Sequence, residues 1–348
     1  MKFLLPLLAL LPVTILGELL RWPPGVLFVT TSLAIIPLAG ILGAATESLA
    51  YHTGARVGGL LNATLGNAAE LIITIAALQA GLVEVVKASI TGSIIGNLLL
   101  VLGASILAGG LKNGIQQFSK RTVSTGTSLM TLAVIGLAVP TLFGPGVASH
   151  GELSVGELNL GIAAALMLGY ILSVIFTFTA PPESIAGTIE PLGPAARWSF
   201  RVSLLILGLC VVAMVYLSEA LVGTIEPVLN TSGLSPFFIG VIVIPIIGNA
   251  AEHAAAIQVA YKNQMELALG ISMGSSMQVA LFVAPLLVFI SVLLGKPMTL
   301  AFNMLELSAL GIAVIIASLI SLDAETNWLE GALLLIVYAI LAFGFYFV

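Results

Sequence analysis

The chain has 348 residues, of which 59% are hydrophobic and only 8% are charged, and its mean hydropathy is +1.18. Soluble globular chains carry about 25% charged residues, so this composition excludes a soluble protein and predicts one that is surrounded by lipid. The net charge of −5 excludes a basic nucleic-acid-binding protein, and the single cysteine, Cys210, excludes a disulfide framework and a cysteine-rich metal site.

Eleven apolar runs follow one another along the chain, each close to the ~20 residues that a membrane-spanning helix needs. The first run follows Lys2 and has no small-residue cleavage site after it, so it is predicted to be an uncleaved helix and not a signal peptide. The runs lie at about 3–20, 25–49, 57–80, 83–109, 122–141, 156–179, 198–222, 235–261, 265–294, 299–321 and 328–348.

The sequence contains an internal repeat. The pentapeptide Gly-Asn-Ala-Ala-Glu occurs at 66–70 and again at 248–252. The same offset pairs Ser93 with Ser275 one predicted helix later, which a chance similarity of composition does not explain. We therefore predict that the chain is built from two related halves.

The repeat defines the predicted architecture, which is an all-α polytopic membrane protein with eleven transmembrane helices. Because each half has an odd number of helices, the halves are predicted to insert in opposite orientations, as in the inverted repeats of many secondary transporters. The predicted parts are an N-terminal transmembrane helix at 1–24, a first five-helix repeat at 25–180, an inter-repeat loop at 181–197 and a second five-helix repeat at 198–348.

The distribution of Lys and Arg among the short loops predicts the orientation, because cytoplasmic loops carry an excess of basic residues. Of the 11 basic residues, 8 fall on the side of the N-terminus and 3 on the opposite side. We therefore expect the N-terminus in the cytoplasm and the C-terminus outside, in the plasma membrane of a prokaryote.

Glu70 and Glu252, the last residues of the two pentapeptides, fall deep inside apolar spans. An acidic side chain at this depth costs about 2.5–3.5 kcal/mol, and no Lys or Arg lies at a matching depth to pair with it. We therefore interpret both glutamates as functional. Four other glutamates lie near span ends and are predicted to be solvated at the membrane interface, namely Glu18, Glu47, Glu219 and Glu306.

The residues around the two buried glutamates predict a cation site. Asn67 and Glu70 are three residues apart and share one helical face, as do Asn249 and Glu252. Carboxylate and amide oxygens are ligands of hard divalent cations, above all Ca2+, which takes about six to eight oxygen ligands. Two carboxylates also balance the charge of one divalent cation. The predicted metal ligands are therefore Glu70, Glu252, Asn67 and Asn249.

Small and polar residues near the motifs are predicted to line a cavity. Gly66 and Gly248 weaken the helix directly before each motif, and non-helical backbone at membrane depth is tolerated where it lines a cavity. Polar side chains on the following helices share the register of the motifs, although hydrogen bonding between helices is an equally simple interpretation. The predicted cavity-lining residues are Ser93, Asn97, Ser275, Gln278, Gly66 and Gly248.

The same two carboxylates are predicted to bind protons. A carboxyl group in a medium of low dielectric constant favours its neutral, protonated form, and a bound divalent cation favours the charged form and displaces the proton. Ca2+ and H+ therefore compete for Glu70 and Glu252, which predicts a coupled exchanger with these two ions as its substrates and no cofactor. His253, directly after Glu252, is predicted to bind or relay protons as well.

The doubled pentapeptide, followed by His253 in its second copy and set in a one-plus-five-plus-five arrangement, resembles the calcium/proton antiporter (CAX, cation/proton exchanger) family over essentially the whole chain. The resemblance implies a secondary active transporter that exchanges Ca2+ for H+ by alternating access. It also implies that Glu70 and Glu252 bind both ions and that the helices before the motifs act as gates. Members often carry a strongly acidic segment between the halves, whereas the 181–197 loop has only Glu183 and Glu190, which does not favour regulation through this loop.

Several alternatives remain open at this level. A sodium-coupled calcium exchanger of the same superfamily typically has more hydroxyl ligands than the stretch Asn67-Ala68-Ala69 offers, and a Mn2+/H+ antiporter would use the same oxygens. A cation channel with a ring of glutamates does not need inverted halves, and an intramembrane metalloprotease would need a His-Glu-x-x-His motif that this chain lacks. The predicted partners are the two transported ions and the lipid bilayer, without nucleic acid, and a homo-oligomer is left open.

Overall fold

The computed structural model describes residues 5–149, 152–179 and 197–348, and almost all of these residues are helical. The inter-repeat loop at 181–197, with Glu183 and Glu190, lies outside the described residues except for its last residue. After an initial 3-10 turn at Leu5–Ala9, the α-helices are α1 (Leu10–Leu19), α2 (Pro24–Leu65), α3 (Ala68–Gln79), α4 (Val83–Ile95), α5 (Leu102–Asn113), α6 (Lys120–Ala148), α7 (Glu152–Thr179), α8 (Phe200–Ser232), α9 (Pro236–Phe238), α10 (Ile244–Gly248), α11 (Ala250–Tyr261), α12 (Met265–Gln278), α13 (Ala284–Leu293), α14 (Met304–Ile320) and α15 (Trp328–Tyr346).

Two pairs of residues form the strands of the described part of the chain. Strand β1 (Gln116–Gln117) pairs antiparallel with β2 (Glu325–Thr326), with Gln116 opposite Thr326. The pairing ties the loop after α5 to the loop before α15. The described part of the chain is therefore mostly helical, as predicted, with a minimal sheet between two loops.

Seven helices of the described chain are long and apolar enough to cross a membrane, and an eighth span is formed if the bent pair Pro236–Gly248 and Ala250–Tyr261 counts as one. Three further apolar helices, Pro6–Leu19, Ala68–Gln79 and Met304–Ile320, are shorter. Each of the predicted apolar runs overlaps one of these segments. Since three of them are shorter than a full span of about 20 residues, the count of eleven spans stays a prediction.

Three π-helical segments widen the long helices. They lie at Gly96–Val101 between α4 and α5, at Ile239–Val243 between α9 and α10, and at Val279–Val283 between α12 and α13. The first and the third segments end at Val101 and Val283, positions that are separated by the same offset as the two pentapeptides. Such π-bulges occur frequently at functional sites.

Helix α2 changes direction at Gly54, whose φ of 80° and ψ of 169° lie in a region that only glycine adopts without strain. The turn brings the chain back on itself, since a Cβ atom on Gly58 would lie 2.4 Å from the carbonyl oxygen of Ala50. The apolar part of α2 therefore ends at Gly54, and a separate helical segment leads from there to the first motif.

The described residues form two compact units. The first contains 5–89, 197–254 and the last residue, and the second contains 90–149, 152–179 and 255–347. Each unit takes segments from both predicted repeats, so spatial grouping does not follow the repeat boundaries. The division into repeats is a property of the sequence and stays a prediction.

In the first unit, α2 and α8 pack along each other and α3 packs against α8. Ile35 and Leu42 of α2 and Leu217, Leu221 and Ile225 of α8 are at most 1% exposed. In the second unit, α5 and α15 approach closely, because a Cβ atom on Gly331 would lie 2.3 Å from the backbone nitrogen of Leu107. Such close approach at small residues is the ordinary way in which helices associate in lipid.

One expectation about the span ends is wrong. Glu306 is only 2% exposed and is not solvated at an interface. Its carboxylate accepts a hydrogen bond from the backbone N–H of Asn303 at 2.9 Å, while the Asn303 side chain accepts one from the backbone N–H of Glu306 at 2.8 Å. This capping box satisfies donors at the start of α14, and the Thr91 hydroxyl donates a further hydrogen bond to the carboxylate at 3.3 Å.

Candidate cation-binding site

Both copies of the pentapeptide break a helix at the same residue. Asn67, between α2 and α3, has φ −95° and ψ 24°, and Asn249, between α10 and α11, has φ −105° and ψ 8°. Both conformations lie in a sparsely populated region of backbone space where many active-site residues are found. Gly66 keeps helical dihedral angles, so the break falls one residue after the glycine that was expected to weaken the helix.

The helix after each break begins in the same way. The carbonyl oxygen of Asn67 accepts a hydrogen bond from the backbone N–H of Leu71, and that of Asn249 accepts one from His253, each at 2.9 Å. Glu70 and Glu252 are therefore the third residues of α3 and α11. The N-terminal turn of a helix carries a partial positive charge, which offsets part of the cost of removing a carboxylate from water.

The predicted ligands are buried to different degrees. Asn67, Asn249 and Glu70 are 3%, 2% and 2% exposed. Glu252 and His253 are only half-buried. The first glutamate is thus enclosed by protein, whereas the second lies at a more open position of the same unit.

The first unit brings the two motifs together, although they lie in opposite halves of the sequence. A Cβ atom built on Gly248 would lie 3.8 Å from both the Cα and the Cβ atoms of Glu70 and 3.8 Å from Cδ1 of Ile73. The end of α10 therefore lies beside the first turn of α3. Since 3.8 Å is an ordinary van der Waals distance, a Cβ atom would fit at Gly248, and the second motif is a near neighbour of the glutamate of the first.

The predicted cavity-lining side chains of the later helices lie in the second unit. The Asn97 side-chain amide donates a hydrogen bond to the Ser275 hydroxyl at 3.0 Å, and both residues are buried. Ser93 is 1% exposed and Gln278 is half-buried. Asn97 belongs to the π-helical segment Gly96–Val101, and Gln278 directly precedes Val279–Val283. The predicted residues therefore form two groups, one in each unit, and their role in lining a cavity stays a prediction.

Sequence reasoning missed Thr74. Its hydroxyl donates a hydrogen bond to the backbone carbonyl of Glu70 at 2.8 Å, and the residue is 1% exposed. The signal was its position four residues after Glu70, which puts both residues on one face of α3. The equivalent residue after Glu252 is Ala256, so the first copy has a polar support that the second lacks.

The donor set restricts which cations fit. Within the described ranges, no group of three or more His, Cys, Asp or Glu side chains could hold a metal ion. A cation at the motifs would therefore be bound by two carboxylates together with amide and carbonyl oxygens. Such a set suits hard cations like Ca2+ and is unsuited to zinc or copper.

Comparison with known proteins gives a consistent result. The family model for sodium/calcium exchanger proteins matches the chain twice, at residues 24–179 and 202–347. The Ca(2+)/H(+) antiporter ChaA of Bacillus subtilis is 42% identical over 341 residues, which are 96% of this chain and 96% of that protein. The Ca(2+)/H(+) antiporter of Synechocystis is 42% identical over 365 residues, covering 99% and 97%. The crystal structure of the Ca2+/H+ antiporter protein YfkE matches with a TM-score of 0.87 at 39% identity and covers 100% of both chains.

Proposed function

Since the chain belongs to the sodium/calcium exchanger protein family and, within it, to the calcium/proton antiporters (CAX), we propose that it exchanges Ca2+ for H+ across a membrane. It is a transporter and not an enzyme, and it is an integral membrane protein. The observation that carries the proposal is the pair of glutamates at the starts of α3 and α11, with Gly248 of one motif close to Glu70 of the other.

The proposed cation ligands are the carboxylates of Glu70 and Glu252 and the side-chain amide oxygens of Asn67 and Asn249. Two carboxylates neutralise one Ca2+ ion, and each can bind it through one or both oxygens. Backbone carbonyls near the two helix breaks, or water, complete the about six to eight oxygen ligands that Ca2+ takes. The closely similar backbone at Asn67 and Asn249 supports this arrangement, because it presents both motifs with the same geometry.

Proton coupling follows from the charge of the same site. With Ca2+ bound, the glutamate pair is formally neutral, and with two protons it is neutral again. The empty pair carries two negative charges, which are costly in a medium of low dielectric constant. Only the loaded forms therefore change their access to the two sides of the membrane. His253, half-buried beside Glu252, is proposed to bind or relay the protons.

Alternating access is proposed to use an inverted repeat of five helices in each half, after one N-terminal helix. Three observations support it. The family model matches twice, both pentapeptides break a helix at their asparagine, and the π-helical segments Gly96–Val101 and Val279–Val283 end in the register of the repeat. The proposed location is the plasma membrane of a prokaryote, with the N-terminus in the cytoplasm and the C-terminus outside.

Flux through purified protein in proteoliposomes tests the proposal. Ca2+ uptake is expected to follow an imposed pH gradient and to be unaffected by a Na+ gradient. Glu70→Gln and Glu252→Gln are each expected to abolish uptake, because each removes a charge that both ions need. Glu84→Gln is the matched control, since Glu84 is 78% exposed and pairs with Lys87 on its own helix.

The other outcomes identify the alternatives. Dependence on Na+ in place of protons would make the protein a sodium-coupled exchanger, and faster uptake of Mn2+ than of Ca2+ would make it a Mn2+/H+ antiporter. Ca2+ entry without any proton movement would indicate a channel. Uptake that survives in both Gln variants would exclude the two glutamates as the ion site.

A further inference from the structure

An acidic cleft lies in the first unit, at the opposite end of α3 from Glu70. Its larger part has a volume of about 330 Å³ and lies between α3 and α8, and its smaller part has about 230 Å³ and lies between α1, α2 and α8. The two parts are adjacent cavities that have Glu219 and Gly223 of α8 in common as lining residues. We refer to both parts together as the acidic cleft. A Cβ atom on Gly223 would meet nothing within 4 Å, so there is free space at this glycine for a larger side chain.

The charged residues that line the acidic cleft are all glutamates. Glu219 and Glu226 lie seven residues apart, on one face of α8, and Glu18 comes from α1. The Tyr216 hydroxyl donates a hydrogen bond to the Glu18 carboxylate, and Tyr216 precedes Glu219 by one helical turn. Two carboxylates from different helices are thus held on the same side of α8. Within the described chain, no Lys or Arg forms an ion pair with these glutamates.

Two buried threonines line the smaller part of the acidic cleft. Thr14 of α1 and Thr31 of α2 are both 0% exposed, and in the described structure neither hydroxyl has a hydrogen-bond partner. Other helical threonines donate to the carbonyl four residues earlier, as Thr46 does to Leu42 at 3.0 Å. An unsatisfied buried hydroxyl costs about 1–3 kcal/mol. A ligand that takes up these oxygens would remove that cost.

From this juxtaposition we propose that the acidic cleft is a second divalent-cation site, separate from the transport site. Its oxygen ligands are the carboxylates of Glu18 and Glu219 and the hydroxyls of Thr14 and Thr31, with water completing the shell, which is the ligand chemistry of Ca2+. Because the two glutamates are exposed, their charges are hydrated, and the site is weaker than one formed by buried carboxylates.

The place of the acidic cleft suits a site where the cation is collected or released. Helix α3 carries Glu70 in its first turn and Gln79, which lines the cleft, at its last residue. Nine residues of helix span about 14 Å, so the cleft and the transport glutamate lie at opposite ends of one short helix. Negative charge in a cleft raises the local concentration of cations. This role rests on the proposed exchange function, whereas binding in the cleft does not.

Binding is tested with Tb3+, a luminescent substitute for Ca2+, on the full-length protein in detergent. The double variant Glu70→Gln with Glu252→Gln, which lacks the transport carboxylates, is expected to retain Tb3+ emission that Ca2+ displaces. Adding Glu219→Gln is expected to weaken this binding by about tenfold or more, because ligand charge sets Ca2+ affinity. Adding Glu84→Gln is the control and should leave it unchanged.

Two further variants keep the test independent of charge. Gly223→Met places a large side chain in the cleft. The double substitution Thr14→Val with Thr31→Val removes the two hydroxyls and keeps the shape of the side chains. Each of these two variants is expected to weaken Tb3+ binding and to retain the thermal unfolding midpoint. Absence of displaceable emission in the double variant, or emission unaffected by Glu219→Gln, would overturn the proposal. In proteoliposomes, Glu219→Gln should keep exchange but raise the Ca2+ concentration for half-maximal rate. Failure of exchange in the wild-type protein would refute the proposed function and leave the binding result intact.

Discussion

The two copies of Gly-Asn-Ala-Ala-Glu have the same backbone but different surroundings. In both, the helix breaks at the asparagine and the glutamate is the third residue of the next helix. Glu70 is 2% exposed, and its backbone carbonyl accepts a hydrogen bond from the Thr74 hydroxyl. Glu252, in contrast, is half-buried and is followed by His253. An identical pentapeptide therefore determines the local geometry, and the packing of neighbouring elements determines how accessible each carboxylate is.

The difference indicates a division of labour within the proposed pair. Glu70 is buried, with Gly248 of the second motif nearby, so packing restricts its side chain. Glu252 is only half-buried and is followed in sequence by the imidazole of His253. We expect the first to define the geometry of the cation site and the second to exchange protons with its surroundings.

Shortening each carboxylate gives the largest expected difference between the copies. Glu70→Asp is expected to lower the exchange rate by on the order of a hundredfold, because displacement of a reacting group by about 1 Å at a rigid site has effects of that size. Glu252→Asp is expected to lower it by about tenfold, since the half-buried side chain can adjust. Proteoliposome flux measures both, with Glu84→Asp as the control, and equal losses in the two variants would contradict the division of labour.

Exchanging the residue after the glutamate tests the role of the imidazole. His253→Leu gives the second copy the residue that the first copy has at this position, Leu71. The substitution is expected to lower the exchange rate on the order of tenfold, because it removes a group that transfers protons. Ca2+ binding is expected to be retained, because no cation ligand is removed. Flux and equilibrium Ca2+ binding are compared at several pH values. If binding falls in parallel with flux, His253 supports the structure of the site and does not carry protons.

Removing the polar support of the first copy has the smallest expected effect. Thr74→Val keeps the shape of the side chain but deletes the hydrogen bond to the Glu70 carbonyl, which is worth about 1 kcal/mol. We expect a loss of a few-fold in apparent Ca2+ affinity and a small drop in the thermal unfolding midpoint. Thr177→Val is the matched control, because its hydroxyl makes the same kind of bond to Ser173 at 2.9 Å far along the chain from either motif. Equal effects of the two substitutions would show that Thr74 has no special relation to the site.

Much of the helical framework could be predicted from the sequence, because the length of an apolar run in lipid restricts the backbone to a helix. Each predicted run overlaps an apolar helix of the structure. The pentapeptide repeat also indicated where the helices break, to within one residue. The interfacial interpretation of Glu306 failed because distance to a span end says nothing about the neighbouring helices, and here a capping box and Thr91 enclose the carboxylate.

The amino-acid sequence alone indicated that this chain is a membrane protein and that one pentapeptide occurs twice, each time ending in a glutamate within an apolar run. These are local consequences of composition and of short motifs. Tertiary structure alone decided that Gly248 lies close to Glu70, that the first glutamate is buried and the second half-buried, and that Thr14, Glu18, Thr31 and Glu219 line one cavity. The physical reason is that a helix that is apolar on all sides has no amphipathic pattern from which its packing partner could be predicted. Which helix faces contact each other therefore depends on close packing between segments that are distant in the chain.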